Sequence, residues 1–204
     1  MPTSVLPFGA WGAYVITSGN AVFLAEQACL GGARILQYRE KDASKKHILA
    51  TARRIREITA AYNTVFIVND FLDIAILSDA DGVHLGQEDI PISEARKLVP
   101  DGFVIGVSTH SLDQAKQAAH EGAHYVGVGP VYSTPTKPDY LPIGMDTVRS
   151  VAKTVNIPLV AIGAITIETV PKLKEFGINN VAMLRGFAKD TTPMVRRMNE
   201  ILLK

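Results

Sequence analysis

Short runs of β-branched and other apolar residues alternate with longer amphipathic segments along the chain, and this alternation most constrains the fold. The pattern predicts eight strands, at Tyr14–Thr17, Arg34–Tyr38, Val65–Asn69, Gly82–Leu85, Phe103–Val107, Tyr125–Gly129, Leu159–Ile162 and Asn180–Met183. Eight strands in 204 residues give a strand–helix unit of about 25 residues, which is short but sufficient for this repeat. Uniform alternation predicts parallel strands, and eight regular units favour a closed (β/α)8 barrel, a TIM barrel, over an open doubly wound sheet.

The segments between the predicted strands have helical spacing. The clearest helix starts at Ser44 and places four residues on one face, Ile48, Ala52, Ile55 and Thr59. Three further residues are predicted helix N-caps, Ser93, Ser111 and Thr166. No Pro/Gly/Ser-rich linker divides the chain, and the Pro-rich segment Pro130–Pro142 is better interpreted as one long loop. We therefore predict a single TIM-barrel domain over residues 1–204.

The composition narrows the class of partner. A formal net charge of +1, with acids and bases mixed along the chain, argues against a nucleic-acid-binding or anionic-membrane surface. No apolar run approaches about 18 residues and the first residues lack a leader pattern, so we expect neither a membrane span nor a signal peptide. The single cysteine, Cys29, is expected to pack as a small hydrophobe. A cytoplasmic protein acting on small molecules is the expectation, and a homodimer is compatible with the sequence.

Polar residues follow the predicted second strand. Because side chains of an extended segment alternate between faces, Gln37, Arg39 and Lys41 project on one side. Two cations and an amide at a strand end are typical of an anion site, although a solvated face gives the same local pattern.

Two aspartates follow the third and fourth strands. Asp70 and Asp89 are 19 residues apart, about one strand–helix unit, so they belong to neighbouring strand ends and can converge. Two carboxylates beside Arg39 and Lys41 indicate a divalent cation that bridges carboxylates and phosphate oxygens, and Mg²⁺ is usually held in this way. The alternative is structural: Asp70 would cap the next helix and Asp89 a turn before Pro91.

The later strand ends carry weaker signals. Gly163-Ala164 and Arg185-Gly186 end the last two strands, where many barrels bind phosphate, although ordinary turns contain the same residues. The long loop contains Thr134, Thr136 and Lys137, which suggests a mobile lid or a substrate clamp. Ser108 either donates to a ligand or satisfies local backbone.

Several reaction classes receive no support from the sequence. His84 lies within a strand and is interpreted as a buried, hydrogen-bonded histidine. Neither His84 nor His110 has a partner at zinc-ligand spacing. No G-x-S-x-G or G-x-G-x-x-G motif points to a hydrolase or a dinucleotide-binding enzyme.

Taken together, the motifs resemble those of the thiamine-phosphate synthase (thiamine-phosphate pyrophosphorylase) family. They occur in the family's order and spacing, as Gln37 to Lys41 (QYREK), Val68 to Asp70 (VND), Asp81 to Asp89 (DGVHLGQED), Gly106 to Ser108 (GVS), Gly127 to Lys137 (GVGPVYSTPTK) and Ala161 to Gly163 (AIG). The resemblance covers nearly the whole chain.

The resemblance implies a transferase that couples a hydroxymethylpyrimidine diphosphate to a thiazole phosphate, giving thiamine phosphate and pyrophosphate. It implies that Asp70 and Asp89 bind Mg²⁺. The residues implied for the pyrimidine diphosphate are Gln37, Tyr38, Arg39, Glu40, Lys41, Asn69, Ser108 and Lys137. Those implied for the thiazole phosphate are Thr134, Pro135, Thr136, Ala164, Leu184 and Arg185. Arg39, Lys41 and Lys137 are the expected catalytic residues, because they can neutralise the charge of the departing diphosphate.

The chain departs from the family pattern at two positions. The family usually has glycine where this chain has Ala164, and a small hydroxyl residue where it has Arg185. A methyl group crowds a phosphate held by backbone N–H groups, whereas an arginine can pair with that phosphate. Two other functions stay open: a thiazole tautomerase-like isomerase, whose branch typically lacks the paired aspartates and has a histidine where this chain reads Gly129-Pro130, and a non-catalytic phosphate-ligand binder.

Overall fold

The computed structural model describes residues 9–17, 19–134, 141–184, 186–187 and 190–204, and within them eight strands alternate with eight helices. The strands are β1 (Gly12–Thr17), β2 (Ile35–Tyr38), β3 (Val65–Asn69), β4 (Gly82–Leu85), β5 (Val104–Thr109), β6 (Tyr125–Val128), β7 (Leu159–Ile162) and β8 (Asn180–Met183). The helices are α1 (Ala21–Leu30), α2 (Lys45–Ala61), α3 (Leu72–Leu77), α4 (Ile92–Leu98), α5 (Leu112–His120), α6 (Gly144–Thr154), α7 (Val170–Lys174) and α8 (Thr191–Leu202).

The strands form a closed parallel barrel in chain order. Each strand pairs with the next, and β8 pairs with β1 to close the cylinder. The predicted (β/α)8 fold is confirmed, and β3, β4, β7 and β8 have the predicted bounds. The strand β5 is longer than predicted at its carboxyl end, because Ser108 and Thr109 continue the ladder opposite Gly127 and Val128.

Alternation along the strands divides the core into two layers. One layer fills the barrel interior and contains Trp11, Tyr14, Ile16, Ile35, Val65, Ile67, Val104, Tyr125, Val160 and Ala182. The other lies between the barrel and the surrounding helices and includes Leu36, Tyr38, Phe66, Val68 and Ile105. Because residues two apart share a face, the inward-facing positions continue to Gln37 and Asn69 at the carboxyl ends of their strands. The pattern thus places polar side chains directly above the apolar interior of the barrel.

Two of the predicted helix starts are confirmed. Ser44 precedes α2, and its Oγ accepts a hydrogen bond from the His47 N–H at 3.3 Å. Ser111 precedes α5 and accepts from the Gln114 N–H at 3.2 Å. The predicted face of α2 is also buried, namely Ile48, Ala52, Ile55 and Thr59.

The other two predicted N-caps are wrong. The helix α4 begins at Ile92, directly after Pro91, so Ser93 lies inside its first turn. Proline suits this position because its fixed φ is compatible with a helix start. The helix α7 begins at Val170, and Thr166 instead donates its N–H to Thr169 Oγ1 at 3.0 Å in the preceding turn.

The structure also tests two expectations drawn from composition. Cys29 is buried on α1, with its thiol 3.5 Å from Thr64 Oγ1, which confirms its packing role. Within the described parts of the chain, the helices lack the length and hydropathy needed to span a membrane. The long loop between β6 and α6 is described only at its two ends, 129–134 and 141–143, and both lack regular structure.

Candidate active site

A cavity of about 320 Å³ opens at the carboxyl end of the barrel. All eight strands, or the turns that follow them, contribute to its wall, through Ile16, Arg39, Asn69, His84, Ser108, Gly129, Ile162 and Leu184. Active sites of this fold lie at the same face. The cavity is therefore the candidate active site.

Asp70 directly follows the cavity residue Asn69, and Asp89 lies close to Asp70, as their spacing predicts. Asp89 is close enough for its charge to act on Asp70, and Lys41 Nζ lies 3.7 Å from Asp70 Oδ2. Burial and then the negative charge of Asp89 raise the pKa of Asp70, whereas Lys41 opposes that rise. The carboxyl group of Asp89 thus disfavours the ionised form of Asp70.

Asp70 also has an unusual backbone conformation. Its φ of 63° lies in the left-handed region, which aspartate adopts more readily than most residues but at some cost in energy. Its N–H donates to the His84 carbonyl at 2.8 Å, which fixes the turn to the end of β4. The helix α3 has no side-chain cap from Asp70, so the capping alternative is wrong for this residue.

Asp89 lies on a turn that is held from two sides. Its Oδ2 accepts a hydrogen bond from the Gly86 N–H at 2.6 Å. Asp89 therefore caps a turn, as the structural alternative predicts, and it also lies close to Asp70. Gln87 donates from Nε2 to the Ser108 carbonyl at 2.7 Å and connects this turn to β5. The turn is thereby fixed relative to the cavity wall.

The residues Gln37 to Lys41 divide between the two faces of β2. Gln37 and Arg39 line the cavity, and Lys41 lies beside Asp70. Tyr38 points the other way and packs in the outer core, with Thr51 as its hydrogen-bond partner.

Glu40 has a local role in the turn after β2. It accepts the Lys41 N–H at 2.9 Å and the Asp42 N–H at 3.2 Å, which shapes the turn that carries Lys41. Of the five residues of this motif, Gln37 and Arg39 line the cavity, and Lys41 lies beside Asp70.

The second half of the predicted site is described in part. Thr134, Ala164 and Leu184 line the cavity. Ala164 follows Gly163 with a φ of 46°, a left-handed conformation that glycine adopts more easily. The remaining predicted residues, Pro135, Thr136, Lys137 and Arg185, lie outside the described residues.

Among the cavity residues that were not predicted as site residues, Tyr14, His84 and Tyr125 form one polar network. Tyr14 and Tyr125 share a hydrogen bond of 2.6 Å, and His84 contacts Tyr125 through Nδ1 and Ser108 through Nε2, both at 2.9 Å. The interpretation of His84 as a buried, hydrogen-bonded histidine is confirmed. Tyrosines in an apolar strand give little signal of such a role, because a buried phenol is usually an ordinary core residue.

Comparison with known proteins gives one consistent family. The family model described as thiamine monophosphate synthase matches residues 13–187. The thiamine-phosphate synthase of Caldivirga maquilingensis is 42% identical over 180 residues, 87% of each chain, and that of Chloroflexus aurantiacus is 39% identical over 94% of this chain and 93% of its own. The solved thiamine phosphate pyrophosphorylase of Pyrococcus furiosus is 33% identical, with a TM-score of 0.88 over 95% of this chain and 96% of its own.

Proposed function

Because this chain belongs to the thiamine monophosphate synthase family and is a transferase, we propose that it joins a hydroxymethylpyrimidine diphosphate to a thiazole phosphate in a Mg²⁺-dependent reaction. The products would be thiamine phosphate and pyrophosphate. One observation carries the proposal: the Asp70–Asp89 pair lies beside Lys41 at the cavity edge, with Arg39 in the cavity wall.

The donor set at this position fits Mg²⁺. Among the described residues no three carboxylate, imidazole or thiol groups come together as a complete metal site, so the protein would supply two carboxylates. Mg²⁺ is commonly held by one or two carboxylates, with water and substrate phosphate oxygens completing its shell. The raised pKa of Asp70 supports this assignment, because a cation would relieve the repulsion between the two carboxylates. When bound, Mg²⁺ would neutralise charge on the diphosphate.

The residues of the chain would bind the diphosphate and stabilise its departure. Arg39 from the cavity wall and Lys41 from the edge would bring positive charge to the phosphate oxygens as the carbon–oxygen bond breaks. The cavity would hold the pyrimidine between three polar residues that line it at the ends of β2, β3 and β5, namely Gln37, Asn69 and Ser108. An electron-rich aminopyrimidine can stabilise the cationic methylene group, and the thiazole nitrogen then attacks it. Positioning and electrostatics suffice for such a reaction, so no protein base is required.

The thiazole phosphate would lie on the opposite side of the cavity. The turn after β7 and the end of β8 meet there, with Ala164 and Leu184 in the wall and Thr134 on the facing loop. The loop is held to the β7 turn by two backbone hydrogen bonds, from Val131 to the Ile162 carbonyl at 2.8 Å and from Tyr132 to the Gly163 carbonyl at 3.2 Å. The two walls of this half-site are thus joined.

The purified protein, given both substrates and Mg²⁺, is expected to form thiamine phosphate and one equivalent of pyrophosphate. Chromatographic identification of the product tests the function, and chelation of Mg²⁺ tests the metal dependence. An isomerised thiazole phosphate without coupling would instead establish the isomerase, and binding of either phosphate without turnover would establish the binder.

Replacing Ala164 with glycine is expected to stabilise the protein and to lower the KM for the thiazole phosphate. Glycine removes the left-handed strain of an L-residue, about 1–2 kcal/mol, and part of this gain is offset by greater freedom in the unfolded chain. It also removes a methyl group from the proposed phosphate-binding turn. Thermal unfolding and steady-state kinetics measure the two effects. The matched control is Ala50→Gly, at an exposed position of α2. This change should lower the free energy of unfolding by about 1 kcal/mol and leave KM unchanged.

A further inference from the structure

A continuous series of hydrogen bonds crosses the barrel interior along the wall of the cavity. Gln37 donates from Nε2 to the Tyr14 hydroxyl at 2.9 Å, and Tyr14 contacts Tyr125 at 2.6 Å. Tyr125 then contacts His84 Nδ1, and His84 Nε2 contacts Ser108 Oγ. We call these five residues the interior relay. Its two ends, Gln37 and Ser108, belong to the proposed pyrimidine diphosphate site.

The two phenols of the interior relay stay neutral. Tyr14 and Tyr125 are fully buried, and burial raises the pKa of both hydroxyls well above the usual value. A neutral phenol donates one hydrogen and accepts at its oxygen. The Tyr125 ring is held in place by Trp11, edge to face at 5.5 Å between ring centroids, and a side chain at Gly106 would overlap it.

Counting hydrogens gives the interior relay one direction. The Gln37 amide nitrogen can only donate, so the Tyr14 oxygen accepts and its own hydrogen goes to Tyr125. Tyr125 then donates to His84 Nδ1, which places the imidazole proton on Nε2. The opposite direction would require Gln37 to present its amide oxygen, in place of its nitrogen, to the Tyr14 hydroxyl.

The consequence appears at the other end of the interior relay. Because His84 donates from Nε2 to Ser108 Oγ, the hydroxyl hydrogen of Ser108 is turned away from the imidazole and towards the cavity. Gln37 uses its amide nitrogen on Tyr14, which leaves its carbonyl oxygen as an acceptor. The two ends therefore have opposite hydrogen-bonding characters.

We propose that Tyr14, Tyr125 and His84 are positioning residues that hold Ser108 as a hydrogen-bond donor, and Gln37 as an acceptor, towards the pyrimidine diphosphate. This inference rests on the proposed function. Since each interior member donates one hydrogen and accepts another, the orientation at Gln37 determines the orientation at Ser108. The interior relay thus couples two substrate contacts on different strands without itself taking part in bond cleavage.

The tautomer of His84 tests the inference without turnover. Long-range ¹H–¹⁵N correlation spectra of ¹⁵N-histidine-labelled, substrate-free protein at mildly alkaline pH should show the proton on Nε2, with His84→Gln assigning the signal. Gln37→Glu replaces the donor with an acceptor and should reverse the interior relay, which moves the proton to Nδ1. Tyr62→Phe, at the exposed end of α2, should change nothing. A proton on Nδ1 in the wild type, or no shift in Gln37→Glu, would overturn the inference.

A double-mutant cycle provides the kinetic test. Tyr125→Phe keeps the ring and removes the hydroxyl. The value of kcat/KM is expected to fall about tenfold, which is the lower end of the effect seen when a residue that orients a functional side chain is replaced. If Tyr125 acts through Ser108, the same change in a Ser108→Ala background should have almost no further effect. Equal losses in both backgrounds would contradict the coupling. Tyr14→Phe interrupts the same series of hydrogen bonds and can replace Tyr125→Phe in the cycle if that variant folds poorly.

The two failures can be told apart. If the wild type forms no thiamine phosphate, the proposed function fails, whereas the tautomer of His84 still reports on the interior relay. If the wild type is active and the cycle is additive, only the inference fails.

Discussion

Replacing Asp70 with asparagine is expected to lower Mg²⁺-dependent turnover by about 100-fold, because a metal contact contributes several kcal/mol to stabilising transition-state charge. The same change should make the metal-free protein more stable. Asp70 is partly buried, lies close to the negative charge of Asp89 and has a φ of 63°, which asparagine tolerates well. Function and stability are thus expected to change in opposite directions at this residue.

The effect of Asp70→Asn on the stability of the metal-free protein should depend on pH. The pKa of Asp70 is raised above its ordinary value of 3.8, so the folded protein binds the proton more tightly than the unfolded chain. The contribution of Asp70 to the free energy of unfolding of the metal-free protein should therefore fall as the pH rises from 3.8 through the raised pKa, and then level off. Asp70→Asn lacks this decrease, so its advantage over the wild type should grow across the same window. Urea unfolding with a chelator present measures it.

Added Mg²⁺ separates the metal role from the charge effect. Millimolar Mg²⁺ with pyrophosphate should raise the Tm of the wild type and leave Asp70→Asn almost unchanged, because a ligand stabilises only the state that binds it. Asp89→Asn should behave alike, since its amide oxygen can still accept the Gly86 N–H. Asp101→Asn, exposed in the loop before β5, is the matched control. Equal Mg²⁺-induced shifts in wild type and Asp70→Asn would remove the metal assignment.

Much of the fold was predictable because its signals are local. Short runs of β-branched and other apolar residues define β3 and β7, and the eightfold alternation of strands and helices selects the barrel. The end of β5 was missed because Ser108 and Thr109 are typical turn residues, and only pairing with Gly127 and Val128 makes them part of the strand. Similarly, α4 begins directly after Pro91, so Ser93 lies inside the helix and is not its N-cap.

The candidate site likewise contains residues that local spacing predicts and residues that only long-range contacts bring together. Asp70 and Asp89 could be paired from their spacing alone, because neighbouring strands of a parallel barrel bring successive ends together. Tyr14 and Tyr125 could not, since their hydrogen bond joins residues 111 positions apart across the barrel interior. Contacts between non-neighbouring strands depend on side-chain length and on the space left by residues such as Gly106.

Replacing Arg39 with glutamine is expected to lower kcat by about 100- to 1,000-fold, the range found when one group that stabilises transition-state charge is removed. Arg39 follows β2 in the cavity wall, and its N–H donates to the Thr17 carbonyl at 3.0 Å, so its backbone is fixed. Its charge also acts on Asp70, where it opposes the raised pKa. Arg39 thus lies in the cavity wall and close enough to Asp70 for its charge to act there, which is where the proposed diphosphate would depart.

The effect should fall mainly on kcat, because negative charge on the leaving oxygen grows as the bond breaks. Arg39→Lys should recover part of the turnover, since a lysine keeps the charge but loses the two-pronged geometry of a guanidinium. Arg54→Gln, exposed on α2, removes the same charge far from the cavity and should leave kcat and KM unchanged. Steady-state kinetics on folded variants distinguishes these cases. Turnover of Arg39→Gln equal to that of the Arg54 control would show that diphosphate departure does not depend on this charge.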